Sequence, residues 1–248
     1  MARPRHLLHA PITEALIDVQ VTPSEDVTFP KLKSAIESLD FGYYLKTPIA
    51  ENSFAWMIAS DQQQQHHTHS ALIGLRWHSQ DEKYVAQFRL NGFTLSRLPP
   101  YENWPMLLDE AKRIWTVYVA QLAPRRVIRL ATRYINNLNL PMEPGVSFQE
   151  YLHKFADVPN EAPQAVDSFF QRFQLADNDT GDRVVLTLAL DQVASGAPIP
   201  VILDVDAFVV TNLDPNDQNI WNTIDRLREL KNRSFFGTIT ERAAELFE

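Results

Sequence analysis

Cysteine is absent from the 248-residue chain. That excludes a disulfide framework, a thiolate zinc site, an iron–sulfur cluster and a cysteine nucleophile. A core of the size this length allows needs no disulfide, so a reducing compartment is the natural setting. Glycine is scarce, with seven residues. None falls in a G-x-x-x-x-G-K-[ST] or G-x-G-x-x-G pattern, so no backbone cradle for phosphates is expected. The H-E-x-x-H and G-x-S-x-G patterns are missing too. No apolar run reaches the roughly 18 residues of a membrane-spanning helix. The basic start, Met1 to His6, is followed only by Leu7-Leu8 before His9 and Pro11, too short for a signal peptide. A soluble, cytoplasmic protein without membrane attachment is the expectation. A basic excess is also lacking. The 23 Lys and Arg against 31 Asp and Glu give a net charge of −8, which disfavours nucleic acid as a partner.

What is present is an ordinary globular composition, 45% hydrophobic and 22% charged, enough for one large domain or two small ones. Alternation at Ala15, Ile17, Val19 and Val21 predicts a half-buried strand over 11–22. Leu32, Ile36 and Leu39 predict a short helix over 29–39, with Pro30 in its first turn. Strands are predicted at Phe54–Ala59, Ala71–Trp77 and Tyr84–Leu90, with Asn91-Gly92 as a turn or bulge before Phe93–Leu95. The stretch 61–70 is polar and reads as a loop. After Pro99-Pro100, a broad apolar face from Trp104 to Leu122 predicts a long amphipathic helix over 101–122, ended by Pro124.

The outline then repeats. Val127–Leu138 alternates. Ser147–Phe155 reads as a helix, with Ser147 and Glu150 at capping-box spacing. Ser168–Leu175, Arg183–Leu190 and Pro200–Val210 read as strands. Asp214-Pro215-Asn216-Asp217 reads as the start of a helix running to about residue 231. Ser234 to Gly237 is expected to interrupt it, and Thr238 to cap a last helix. The expected fold class is therefore α+β, with duplicated β-α-β-β-β-α units at 1–124 and 125–248. Short connections imply an antiparallel sheet. Two long helices on one face of a curved sheet would resemble the saddle of the TATA-binding-protein fold, an analogy of element order that carries no function.

Four segments resemble a sporadically distributed, uncharacterised bacterial family of about this length. They are Pro11-Ile12-Thr13-Glu14-Ala15, Tyr101-Glu102-Asn103-Trp104, Arg129-Leu130-Ala131-Thr132-Arg133-Tyr134-Ile135-Asn136 and Phe236-Gly237-Thr238-Ile239-Thr240-Glu241. The resemblance spans almost the whole chain and implies a bacterial cytoplasmic protein. It implies no activity.

Few residues suggest chemistry. His66-His67-Thr68-His69 is the one histidine cluster. It sits in a glutamine-rich loop that supplies no obvious fourth ligand, so no metal site is expected. Arg133 lies among apolar neighbours and calls for a carboxylate or an anionic ligand. Glu14, Asp204 and Asp206 are the candidate carboxylates. Asp204 and Asp206 share one sheet face. That arrangement suits magnesium or acid–base work, but also plain solubility of a strand near an edge. Two functions follow as expectations. The first is a non-catalytic binding or regulatory module for a protein partner, acting through Trp56, Trp77, Phe88 and Arg97 on an uncovered sheet face or through the cleft between halves. The second is a receptor or enzyme for a small anion or metabolite, with a pocket around Arg133, Asn136, Asp204 and Asp206. No cofactor is expected, and a homodimer is compatible with either.

Overall fold

The structure, a computed structural model, describes residues 2–54, 68–141, 147–153, 159, 161–163, 166–190 and 198–248, with the side chains of 46, 51–54 and 68–70 excepted. Among the described residues nine strands form one antiparallel sheet. They are β1 (Ile12–Thr22), β2 (Tyr43–Phe54), β3 (Thr68–Ser79), β4 (Tyr84–Arg89), β5 (Gly92–Arg97), β6 (Arg126–Asn137), β7 (Phe169–Ala176), β8 (Arg183–Leu190) and β9 (Ile202–Leu213). Their spatial order is β2-β3-β4-β5-β1-β6-β9-β8-β7. The helices are α1 (Phe29–Glu37), α2 (Trp104–Leu122), α3 (Asn219–Thr238) and α4 (Glu241–Glu245). The α+β class and the antiparallel pairing agree with the sequence expectation. None of the described helices is long and apolar enough to cross a membrane.

Two-residue alternation sorts the strand residues onto two faces. Ile17 of β1 lies opposite Leu95 and Thr132, and these in turn lie opposite Ala86 and Ala207. This row faces the helices. α1 packs on β3, α2 on β5 and β1, and α3 on β9, β6 and β8. The buried side chains form two clusters. The larger runs under α1, α2 and the first half of α3. The smaller gathers α4 and Phe235, Phe236 and Ile239 over β8, β9 and the segments around Leu140 and Tyr151. Each fully buried aliphatic side chain contributes about 1.5–3 kcal/mol.

Local chemistry explains the boundaries of α2. The Asn103 side chain accepts a hydrogen bond from Met106 N at 3.0 Å, Pro105 occupies the first turn, and Ala123 closes the helix in the left-handed region, as an αL cap does. Gly92 is required at the start of β5, because a Cβ there would stand 2.5 Å from the Val19 carbonyl oxygen.

Several predicted elements need correction. β2 begins at Tyr43, earlier than the strand expected at Phe54–Ala59, most of which lies outside the described residues. Counting β5 as a strand, the first half has four strands after its helix, not three. The helix expected at Ser147–Phe155 is a single 3-10 turn, Phe148–Glu150, although the Ser147–Glu150 capping box forms. Asp214 and Asp217 do not begin a helix. Their carboxylates accept from Asn216 N and Asn219 N, each at 2.9 Å, the geometry of Asx turns. α3 runs through Gly237 without interruption. Thr238 ends α3, its hydroxyl donating to Ser234 O at 2.8 Å, and Thr240 caps α4 by accepting from Ala243 N.

Candidate functional site

Two places concentrate polar side chains, one on each side of the sheet. On the helix side a cavity of about 630 Å³ opens between the N-terminal segment, the approach to α2, strand β6 and the second half of α3. Alternation along β6 turns Tyr134 and Asn136 toward it. Tyr134 is 2% exposed. Its hydroxyl stands 2.9 Å from that of Tyr101, and the two rings meet edge to face at 5.6 Å. Burial raises both phenols above their ordinary range, Tyr134 the more strongly, so both stay protonated at neutral pH. Asn136 donates to Leu203 O at 2.9 Å and to Tyr134 O at 3.3 Å, which uses its amide to hold β6 and β9 together.

Helical spacing along α3 stacks Arg228, Lys231, Phe235 and their neighbours on the cavity. Lys231 is 8% exposed. Its ammonium donates to Asn232 Oδ1 at 2.7 Å and lies 3.6 Å from the centroid of the Tyr134 ring, a cation–π contact. Burial, and next the positive charge of Arg228, push its pKa down to about 7 against the opposing pull of Glu229. The N-terminal segment forms the outer wall. It is fastened by Ala2 N to Ile239 O at 3.1 Å, by His9 N to Phe247 O at 2.9 Å, and by Arg5 paired with Glu241 and Glu248.

On the opposite face a ladder of ion pairs crosses the middle of the sheet. Asp18 receives Arg89 at 2.6 Å, Thr94 at 2.7 Å and Arg129 at 3.2 Å. Arg129 also reaches Asp206 at 3.0 Å and lies over the Phe208 ring at 4.5 Å. Arg133 grips Asp204 with two bonds, 2.9 and 2.6 Å, the planar fork geometry that carboxylates match. Hydrogen bonding to Asp204 raises the Arg133 pKa, while burial raises that of Asp206.

The four residues expected in one pocket are therefore divided by the sheet. Arg133, Asp204 and Asp206 lie on the open face, where each carboxylate already has a guanidinium. Asn136 lies on the helix side at the cavity. Period-2 alternation dictates the split, because Arg133 and Asn136 are an odd number of residues apart. Of the three candidate carboxylates, Glu14, Asp204 and Asp206, the one that Arg133 bonds is Asp204. No group of three metal-ligating side chains occurs among the described residues. The expected partner surface is also corrected. Trp77 and Phe88 are 4% and 0% exposed, and both face the helices, packed on Phe41 at ring separations of 5.2 and 5.6 Å. Arg97 is 3% exposed, pairs with Glu102 at 2.9 Å and lies over Tyr84. Trp56, and residues 66 and 67 of the histidine cluster, lie outside the described residues.

Sequence reasoning missed Lys231 and Arg228. A signal existed. Leu227, Lys231 and Phe235 fall at four-residue spacing on the buried stripe of α3, so a lysine stands where an apolar residue is expected. No protein-family model matches the chain, and no curated protein matches it.

Proposed function

We propose that this protein is a non-catalytic receptor module that takes a small molecule into the cavity between its halves. The cavity itself carries the reading. Its volume of about 630 Å³ falls within the roughly 300–1,000 Å³ of small-molecule sites, and its walls combine apolar and aromatic side chains with a few convergent polar groups, as such sites do. It draws Tyr101 from the first half, and Tyr134 and Lys231 from the second. The duplicated, saddle-like arrangement belongs to the same proposal. In its support, β1 and β6 lie side by side at the sheet centre, outward from them stand β5-β4-β3 and β9-β8-β7, and a long helix follows β5 and β9 alike. A bacterial cytoplasmic setting is supported by the four resembling segments and by the lack of cysteine.

The test is a thermal-shift screen of the purified protein against small metabolites. A ligand at a hundredfold excess over its Kd is expected to raise Tm by about 5–10 °C. Asn232→Trp, which puts an indole into the cavity wall, removes the shift, while Arg133→Ala on the opposite face keeps it. A shift that survives Asn232→Trp, or none across the screen, overturns the reading.

A further inference from the structure

The charged side chains lining the cavity are almost all paired. Arg5 is held by Glu241 at 2.7 Å and by Glu248 at 2.6 Å. Glu102 holds Arg97 at 2.9 Å, and Arg228 holds Glu229 at 2.7 Å. Lys231 is the exception. Among the described residues it is the one lysine or arginine of the cavity wall without a carboxylate, and it is the most buried of them. An ammonium carries three N–H donors. Asn232 takes one and the Tyr134 ring receives another. The third has no acceptor among the described residues. A buried ammonium without a counter-ion is costly, and an anion entering the cavity would supply what the protein withholds. Around that position stand the rings of Tyr101, Tyr134, Phe235 and Phe236, which suit a flat apolar body better than a phosphate or sulfate.

Resting on the receptor reading above, we infer that the ligand is an aromatic monocarboxylate whose carboxylate pairs with Lys231 while its ring lies against the tyrosine and phenylalanine walls. The same geometry makes binding proton-linked. The charged and titratable groups that line the cavity with Lys231 are Arg228 and Glu229 on its own helix, Tyr134 on β6, Tyr101 and Glu102 before α2, and Arg5 and His6 on the N-terminal segment. Before a ligand binds, burial holds the Lys231 pKa down at about 7. A bound carboxylate favours the charged form, so binding takes up a proton.

Isothermal titration of the full chain tests this, with 4-hydroxybenzoate, phenylacetate and indole-3-acetate as probes and their amides as neutral controls. At pH 8, in two buffers of different ionisation enthalpy, one probe is expected to bind with uptake approaching one proton. Its Kd rises about tenfold per pH unit above pH 7, as a one-proton linkage requires, and the amide binds about a hundredfold more weakly. Lys231→Met abolishes binding. Lys231→Arg, whose charge does not titrate in this range, retains binding without proton uptake. Carboxylate binding that involves no proton, or that survives Lys231→Met, overturns the role of Lys231. Equal binding of the amides overturns the anionic ligand but leaves the receptor reading standing. If neither carboxylates nor amides bind, the aromatic-acid assignment fails, and the metabolite screen then decides the receptor reading on its own.

Discussion

At the scale of single residues, Lys231 sets a conflict between stability and use. Folding takes its ammonium from water and returns one hydrogen bond and one ring contact. The unfolded chain holds the proton up to the ordinary lysine value of 10.5, whereas the folded protein gives it up at about 7. Below pH 7 both states are charged and the full cost is present. Between those values the unfolded state binds more protons, so this lysine's contribution to stability improves as pH rises. Replacing it by methionine, close in length and apolar, is expected to stabilise the empty protein by about 1–3 kcal/mol at pH 7. The gain should shrink toward pH 9.5. Urea denaturation of the two proteins at several pH values reads the difference, which isolates the lysine from Tyr101 and Tyr134, whose raised pKa values act in the opposite direction above about pH 10. A methionine variant less stable than wild type at pH 7 would mean that the cavity holds the ammonium well and needs no anion.

At the scale of elements, the start of α2 places Tyr101 and Glu102 on the cavity, and its first turn is capped by the bond from Met106 N to Asn103 Oδ1, beside the bond from the Trp104 indole to Asp225. Asn103→Ala should cost about 1 kcal/mol. It should also loosen the Tyr101–Tyr134 hydroxyl pair, which a weaker near-ultraviolet dichroism of the tyrosines would report, while faster exchange of the Met106 amide reports the lost cap. The same helix was legible in the sequence, because a long apolar face, an asparagine before Trp104-Pro105 and a terminal Pro124 all agree. β1 and β6 were legible by alternation. β2 was not. Tyr43–Phe54 places Lys46, Thr47 and Pro48 where alternation would be sought, and its register shifts twice against β3, as bulged edge strands do. The continuation of α3 was hidden by Ser234 and Gly237, weak helix formers whose cost is offset by burying Phe235 and Phe236. The Arg133–Asp204 pair could be anticipated from parity within two strands. The cavity could not, since Lys231 meets Tyr134 only after a helix has been laid across a strand from the other end of the second half.

At the scale of the molecule, the central seam is the pairing of β1 with β6, which register from Ile12 opposite Asn136 to Thr22 opposite Arg126. The link between halves, by contrast, is short: α2 ends at Leu122 and β6 begins at Arg126. The N-terminal segment and the residues after α4 are already bonded, His9 N to Phe247 O at 2.9 Å and Arg5 to Glu248 at 2.6 Å, so a flexible glycine–serine linker of about ten residues can join Glu248 to Ala2. If the halves are equivalent units, their order in the chain is immaterial to the sheet. A circular permutant opened between Ala123 and Pro124 then presents the second half first and should fold to the same sheet with one cooperative transition. Its Tm should fall by only a few degrees, about what losing 1 kcal/mol costs a chain of this size, because the new ends lie outside β6 and cut no ladder bond. The aromatic-acid probes that bind the parent should bind the permutant with unchanged affinity, as every wall of the cavity is retained. Two separate transitions would show instead that the halves fold apart and that the cavity depends on their native order.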